Sequence, residues 1–219
     1  MAALFPWWTN SVARVSLLAI AVIGLGVPIA LMVWVRTSFA TGQHANITQP
    51  VPFDHRIHAR SLRIDCRFCH STVEIAAPAG LPPTTACVGC HSSALQGSKT
   101  FAPVRASLSS GRPIVWHRVN ALPDFVFFDH SIHVAKGVGC ETCHGRVDRM
   151  AQVSQATPLS MGWCVRCHRD PAPSLRPRSE VTTMGWAEAH TGAPADSAGR
   201  QLMTENHVRS LTNCSTCHR

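Results

Sequence analysis

The sequence predicts a mostly helical protein with long irregular loops. One N-terminal transmembrane helix is followed by a compact domain organised by something that its Cys and His residues hold. Three observations carry that expectation. Residues 15–35 form a run without a single charge, and all ten Cys fall in one repeated motif. The remaining composition is poor material for a conventional core: 15% charged, 6% aromatic, no Tyr, 15 Pro and 14 Gly in 219 residues. The Gly count excludes a collagen-like chain, and a net charge of +8 with 45% hydrophobic residues excludes an acidic disordered one.

The apolar run reads VSLLAIAVIGLGVPIALMVWV. As a helix it spans roughly 31 Å, matching the hydrocarbon thickness of a bilayer. Arg14 and Arg36 bound it, and Trp7, Trp8 and Trp34 stand at interfacial depths. Pro28 can kink it, and Gly24 and Gly26 offer a thin face to a neighbouring helix. A cleaved signal peptide ending at Ser38-Phe39-Ala40 is the competing reading, but signal cores run only about 7–15 residues. The expected division is therefore 1–40, tail and anchor, and 41–219, the Cys- and His-rich domain.

The ten Cys occur as Cys66-Arg-Phe-Cys69-His70, Cys87-Val-Gly-Cys90-His91, Cys140-Glu-Thr-Cys143-His144, Cys164-Val-Arg-Cys167-His168 and Cys214-Ser-Thr-Cys217-His218. His makes up 13 of 219 residues. At that frequency, five chance placements in five have odds of roughly one in a million, and C-x-x-C-H is the attachment signature of c-type haem. Two thiols one helical turn apart reach the two vinyl groups of a porphyrin, and the next residue sets an imidazole against the iron. Zinc would give no reason for a His after every pair, and five identical spacings are no disulfide framework. Thus five covalent haems c are expected, bound through Cys66, Cys69, Cys87, Cys90, Cys140, Cys143, Cys164, Cys167, Cys214 and Cys217. His70, His91, His144, His168 and His218 are the proximal ligands. Ten propionates then offset the positive charge, so the Arg residues read as propionate partners and nucleic acid is not an expected ligand.

Covalent haem is attached on the outer face of an energy-transducing membrane. That places the haem domain on the periplasmic or extracytoplasmic side of the inner membrane, with one pass through it.

The segment Phe53-Asp54-His55-Arg56-Ile57-His58 precedes the first two motifs, and Phe128-Asp129-His130-Ser131-Ile132-His133 precedes the third and fourth. The His pairs are offset by 75 residues and the motifs by 74 and 77. Two modules follow, 53–91 and 128–168, each with two motifs and two spare His, enough for two six-coordinate irons. His at i and i+3 share a helix face and suit two neighbouring haems better than one. His55, His58, His130 and His133 are therefore the expected distal ligands. For the fifth haem, in the segment 201–219, His207 stands seven residues before Cys214, as His133 stands before Cys140. Met150 is the alternative, and it would raise that haem's potential.

About 36 residues per porphyrin are too few for a separate core at each site, so the porphyrins themselves must supply buried apolar surface. Short helices are expected at the His pairs and motifs. Residues 169–200 are expected to be a Pro- and Arg-rich stretch followed by a weakly structured one.

Two F-x-H-x-x-H modules with paired C-x-x-C-H sites resemble the class III multihaem cytochromes. The single N-terminal anchor, the fifth motif and several strings narrow the likeness: Ile64-Asp-Cys66-Arg-Phe-Cys69-His70, Leu122-Pro-Asp-Phe-Val-Phe-Phe128, Gly145-Arg-Val-Asp-Arg-Met150 and Met161-Gly-Trp-Cys164. Together they resemble the pentahaem, membrane-anchored cytochrome subunits of alternative complex III, quinol oxidoreductases of bacterial respiratory and photosynthetic chains. The resemblance implies an electron-transfer subunit rather than an enzyme in itself. It implies an iron–sulfur subunit, polytopic quinol-binding membrane subunits and a monohaem cytochrome subunit as partners, and a soluble or tethered cytochrome c or copper protein as acceptor. His117 beside Trp116, with Asn120 where a His is expected, departs from the pattern, so no ligand role is read there. The competing function is a free-standing multihaem quinol dehydrogenase feeding a periplasmic reductase.

Overall fold

The computed structural model describes residues 5–95, 97–190 and 193–218, with the backbone alone for 193–196. The outermost ends of the expected division, 1–4 and 219, lie outside the described residues. The chain divides into two compact units, Met1–Gln43 and His44–Arg219.

In the first unit, α1 (Thr9–Trp34) is a 26-residue helix. It starts six residues before the apolar run, because nothing between Pro6 and Val15 stops a helix; the Thr9 N–H donates to the Pro6 carbonyl (3.1 Å). Its last carbonyls are taken up by side chains, Arg36 donating to Met32 (2.6 Å) and Thr37 to Trp34 (2.7 Å), the usual way a helix C-terminus is satisfied. No residue of α1 is buried within the chain, as expected of a helix whose solvent is lipid. A short turn, α2 (Ser38–Thr41), is capped by Thr37 and ended by Gly42 in the left-handed region.

The second unit is mostly helical, in short pieces. In order come a six-residue π-helical turn (Arg56–Ser61), α3 (Cys66–Cys69), α4 (Thr84–His91), α5 (Ala102–Ser110), α6 (His130–Ala135), α7 (Cys140–His144), α8 (Met161–Arg169), α9 (Trp186–Ala189) and α10 (Ala193–Glu205). Long loops and single 3-10 turns join them. Among the described residues there is no strand, only isolated bridges at Val126–His218 and Val138–Leu175. The helix α10 lies where weak structure was expected: its sequence, APADSAGRQLMTE, is rich in Ala, Gln, Leu, Met and Glu, with Pro in the tolerated first turn. It packs on the 3-10 turn Ala172–Ser174, where a side chain at Gly199 would strike the Ala172 carbonyl.

Among the described residues only Val73, Phe101, Val104, Ala172, Leu175 and Val181 are buried hydrophobics. A unit of this size with so little apolar burial lacks the driving force of an ordinary domain. Most of the buried and polar tethering gathers around α7. Glu141 accepts from the N–H groups of Gly185 (2.6 Å) and Ala187 (2.9 Å) and pairs with Arg176 (3.1 Å), both side chains almost fully buried. Arg176 also donates to the Thr183 carbonyl (3.0 Å) and fills the space that a Cβ on Gly139 would need.

Candidate haem sites

In both modules the Phe-Asp-His-x-x-His segment performs the same local task. The Asp side chain accepts the N–H two residues on, Arg56 in the first module and Ser131 in the second, both at 2.8 Å. The Asp carbonyl takes the ring N–H of the second His, from His58 Nδ1 at 2.9 Å and from His133 Nδ1 at 2.6 Å. The Phe ring stacks on that second His (4.2 Å for Phe53–His58, 4.6 Å for Phe128–His133) and meets the first edge-on (4.8 and 4.7 Å). Two imidazoles are thereby fixed in direction by one aromatic wedge and one cap.

These rings meet the motif histidines in pairs. His58 lies 6.1 Å from His91, His130 lies 6.2 Å from His144 with the rings 9° from parallel, and His133 lies 6.0 Å from His168, centre to centre. One metal ion between two imidazoles needs about 2 Å to each nitrogen and about 1 Å more to each ring centre, hence about 6 Å in all. Among the described residues no ring contact pairs His55 with a motif histidine; burial, then the charge of nearby His70 and His58, pushes its imidazole down to about 4. His144 is likewise pushed down to about 4 by burial, with His130, His70 and His55 adding to it. Neutral imidazole is the form that binds a metal.

The other ring nitrogens are pinned. The Nδ1–H of His70 donates to the Gly80 carbonyl (2.8 Å), that of His130 to Ala77 (2.7 Å) and that of His218 to Phe125 (3.2 Å). Such anchoring leaves Nε2 free for a metal and holds the ring in the direction a ligand needs. His144 differs, because its Nδ1 lies 3.2 Å from the side-chain amide of Asn120, whose buried Oδ1 has no partner. Turning that amide over lets Oδ1 accept the ring N–H of His144. The buried Nδ1 atoms of His55 and His91 have no protein partner either. Paired imidazoles at metal-spanning distance and ten cysteines free of disulfides suit covalently attached haem. Among the described residues no group of three or more His, Cys, Asp or Glu could hold a metal ion unaided.

The fifth motif is built differently. Cys214–Thr216 is a 3-10 turn, and the motif is held by main-chain bonds from Phe127 N–H to the Cys217 carbonyl (2.8 Å) and from Leu211 N–H to the His168 carbonyl (3.1 Å). The His218 ring meets Phe125 at 5.8 Å, and among the described residues no ring contact joins it to His207. His207 sits in the left-handed region (φ 51°) and lines a cavity of about 650 Å³ with Lys136, Met203, Thr204, Val208 and Arg209. The seven-residue spacing it shares with His133 does not mark a ligand pair in the second module, since His133 faces His168 and His130 faces His144. The Met150 methyl lies beside Gly145, next to His144, which already has His130 opposite it. His117 is tied to the Thr48 carbonyl (2.7 Å), and His190 stacks on Trp186 at 3.7 Å.

Motif spacing does not reveal the contact of Asn120 with His144, the Phe and Asp roles, or the Arg176–Glu141 pair. Several arginines expected for propionates are held by carboxylates of the chain: Arg56 by Asp54, Arg67 by Asp65 and Glu74, Arg146 by Asp148 and Glu188, and Arg149 by Glu188.

Residues 126–219 match the family model of cytochrome c7 and related cytochrome c, a span holding the second module and the fifth motif. Over 201 residues the chain is 28% identical to the multiheme cytochrome c subunit of menaquinone reductase from Nitratidesulfovibrio vulgaris, covering 90% of this chain and 88% of the relative. Both likenesses are to cytochromes c, which carry haem c covalently.

Proposed function

We propose that the protein is a membrane-anchored pentahaem cytochrome c that relays electrons from quinol oxidation to a periplasmic cytochrome c or copper protein, as a subunit of an alternative complex III. The observation that carries this reading is the set of His pairs about 6 Å apart, each joining an F-x-H-x-x-H histidine to a C-x-x-C-H histidine. In this reading residues 1–40 tether the chain by one pass of the inner membrane, and residues 41–219 stand on the periplasmic side. The ten motif Cys hold five haems, His70, His91, His144, His168 and His218 are proximal ligands, and His55, His58, His130 and His133 are distal ones. His207, with Met150 as the alternative, serves the fifth.

Bound haem supplies a one-electron carrier. The chain's own residues anchor Nδ1 of His58, His70, His130, His133 and His218, and burial disfavours the charged form of His55, His133 and His144. A relay needs no open iron position, so the chain acts as the conductor of its complex rather than as its catalyst. The partners in this reading are an iron–sulfur subunit, polytopic quinol-binding subunits and a monohaem cytochrome subunit.

The name of the relative favours a second reading, in which the same relay runs toward menaquinone. Redox titration separates the two: haem potentials spread above that of the quinone support the first, and potentials below it the second.

Mild-detergent purification of this chain from its native membrane, with mass identification of what travels with it, tests the assignment. Recovery with an iron–sulfur subunit and polytopic membrane subunits is expected. Recovery alone, or with a soluble reductase only, contradicts it and leaves a free-standing quinol dehydrogenase.

A further inference from the structure

We infer that the five haem sites do not follow one another in space as they do in sequence: they run second, first, third, fourth, fifth, and electrons enter and leave the protein at the Cys87–His91 and Cys214–His218 ends. This order rests on the five-haem reading above and adds to it the path the electrons take.

The junction between the modules is made by the first and third sites. The Cys140 N–H donates to the Val181 carbonyl (2.9 Å), while the next residue, Thr182, sets its carbonyl oxygen 4.0 Å from Cys66 Sγ and donates its hydroxyl to Asp65 (2.9 Å). Two adjacent residues thus clasp the leading cysteines of the first and third motifs. The Ala77 carbonyl, in the loop after the first motif, accepts both the N–H (3.1 Å) and the Nδ1–H (2.7 Å) of His130, whose ring faces His144. The π-helical turn that carries His58 also packs on the 3-10 turn Val147–Arg149, just after the third motif.

The second site hangs off the first. They share the turn bearing His55 and His58, and the helix of the second motif, α4, packs outward on α5, with Thr84 bonded to Ser107 (2.6 Å) and His91 against Phe101 (5.5 Å). The fourth site hangs off the third in the same manner, through the helix bearing His130 and His133 and through Thr157 donating to the Cys143 carbonyl (3.1 Å). The fifth joins the fourth where Leu211 bonds to the His168 carbonyl. Of the ten cysteines, only Cys90 and Cys214 are exposed, and they belong to the two sites that this order places at the ends.

Because electron transfer falls steeply with separation, adjacency sets the route. A cryo-electron microscopy map of the intact, haem-loaded complex locates the irons directly. The expected result is that the iron at His70 has the irons at His91 and His144 as its two nearest neighbours within the chain, and that the irons at His91 and His218 lie farthest apart. An iron at His91 lying nearer to that at His144 than the iron at His70 does would overturn the order while leaving five haems in place. Fewer than five irons would overturn the haem count itself, and this order with it.

Discussion

The two modules share one device but not one setting. In 53–91 the His pair rides on a π-helical turn, with the Leu62 N–H reaching back five residues to Ile57 (2.9 Å); in 128–168 it rides on an ordinary α-helix. The rings nonetheless reach the same spacing from their partners, because the Phe wedge and the Asp carbonyl, not the helix type, set their direction. What differs is the surrounding chain. Around the second module lie Asp148, Gln155, Ala172, Leu175, Arg176 and Val181, all buried. Around the first, among the described residues, lie Val73, Phe101, Val104 and Ser107. A repeated motif therefore carries the ligand geometry, while rigidity comes from sequence outside the repeat, and the first module is tied to it through Thr182 and through His130 on the Ala77 carbonyl.

The sharpest way to break this comparison is inside the motifs themselves. Glu141 of the third motif occupies the position of Arg67 in the first, yet Glu141 and its partner Arg176 are buried, whereas Arg67 is partly exposed with Asp65 and Glu74. Removing one member of a buried ion pair leaves the other uncompensated, so Arg176→Ala is expected to destabilise by about 3–5 kcal/mol. Arg67→Ala should cost less than about 1 kcal/mol. Denaturant unfolding of the haem-loaded protein followed by circular dichroism checks both, and equal losses would contradict the comparison.

Next in size are the wedges. Phe53→Ala and Phe128→Ala should each cost about 2 kcal/mol, since each ring is half-buried and holds two imidazoles. Both should also perturb the spectra of the two haems in their own module and spare those of the other. The Asp129→Ala change removes a cap and should cost about 1 kcal/mol in the same unfolding assay.

A smaller effect sharpens the comparison at the proximal ligands. His70 is anchored by the main-chain carbonyl of Gly80, His144 by the side chain of Asn120. A hydrogen bond accepted from a ligand imidazole raises its basicity and favours the oxidised iron. Asn120→Leu is therefore expected to raise the potential of the third haem alone, read by redox titration with spectral separation; unchanged potentials would remove Asn120 from this role.

The smallest effect is acid sensitivity at the clasp. Hydrogen bonding from Arg67, with a further bond from Thr182, holds the Asp65 carboxyl at about 2, against an ordinary value of 3.8. With the folded value depressed, the stabilisation is present above about pH 4 and is lost as the pH falls toward 2. Asp65 is substantially exposed, so the contribution is small. Asp65→Asn should flatten the acid limb of the stability profile over that window, and an unaltered limb would show that the carboxylate does not support the junction.

Much of this was legible in the sequence because covalent attachment demands a fixed spacing and an apolar helix demands a fixed length. The Cys-x-x-Cys-His strings, the two F-x-H-x-x-H segments and the run at 15–35 each report a local constraint. Partnership between distant residues leaves no such mark. That His133 faces His168 rather than the motif seven residues on follows from how the loops return. Arg176 and Glu141 look like ordinary surface charges until Gly139 and the 181–187 segment close over them. The start of α1 at Thr9 escaped notice because hydropathy marks the lipid-facing stretch, not the point where hydrogen bonding begins.

In the proposed reading five porphyrins are bonded to this chain and organise it. Intact-mass spectrometry of the denatured protein, purified from its native host, tests it most directly, since thioether-linked haem survives unfolding. The account expects the mass of the chain plus five haems, falling by one haem in each variant with both Cys of a single motif changed to Ser. A bare-chain mass, or a mass short of five haems in the unaltered protein, would contradict it.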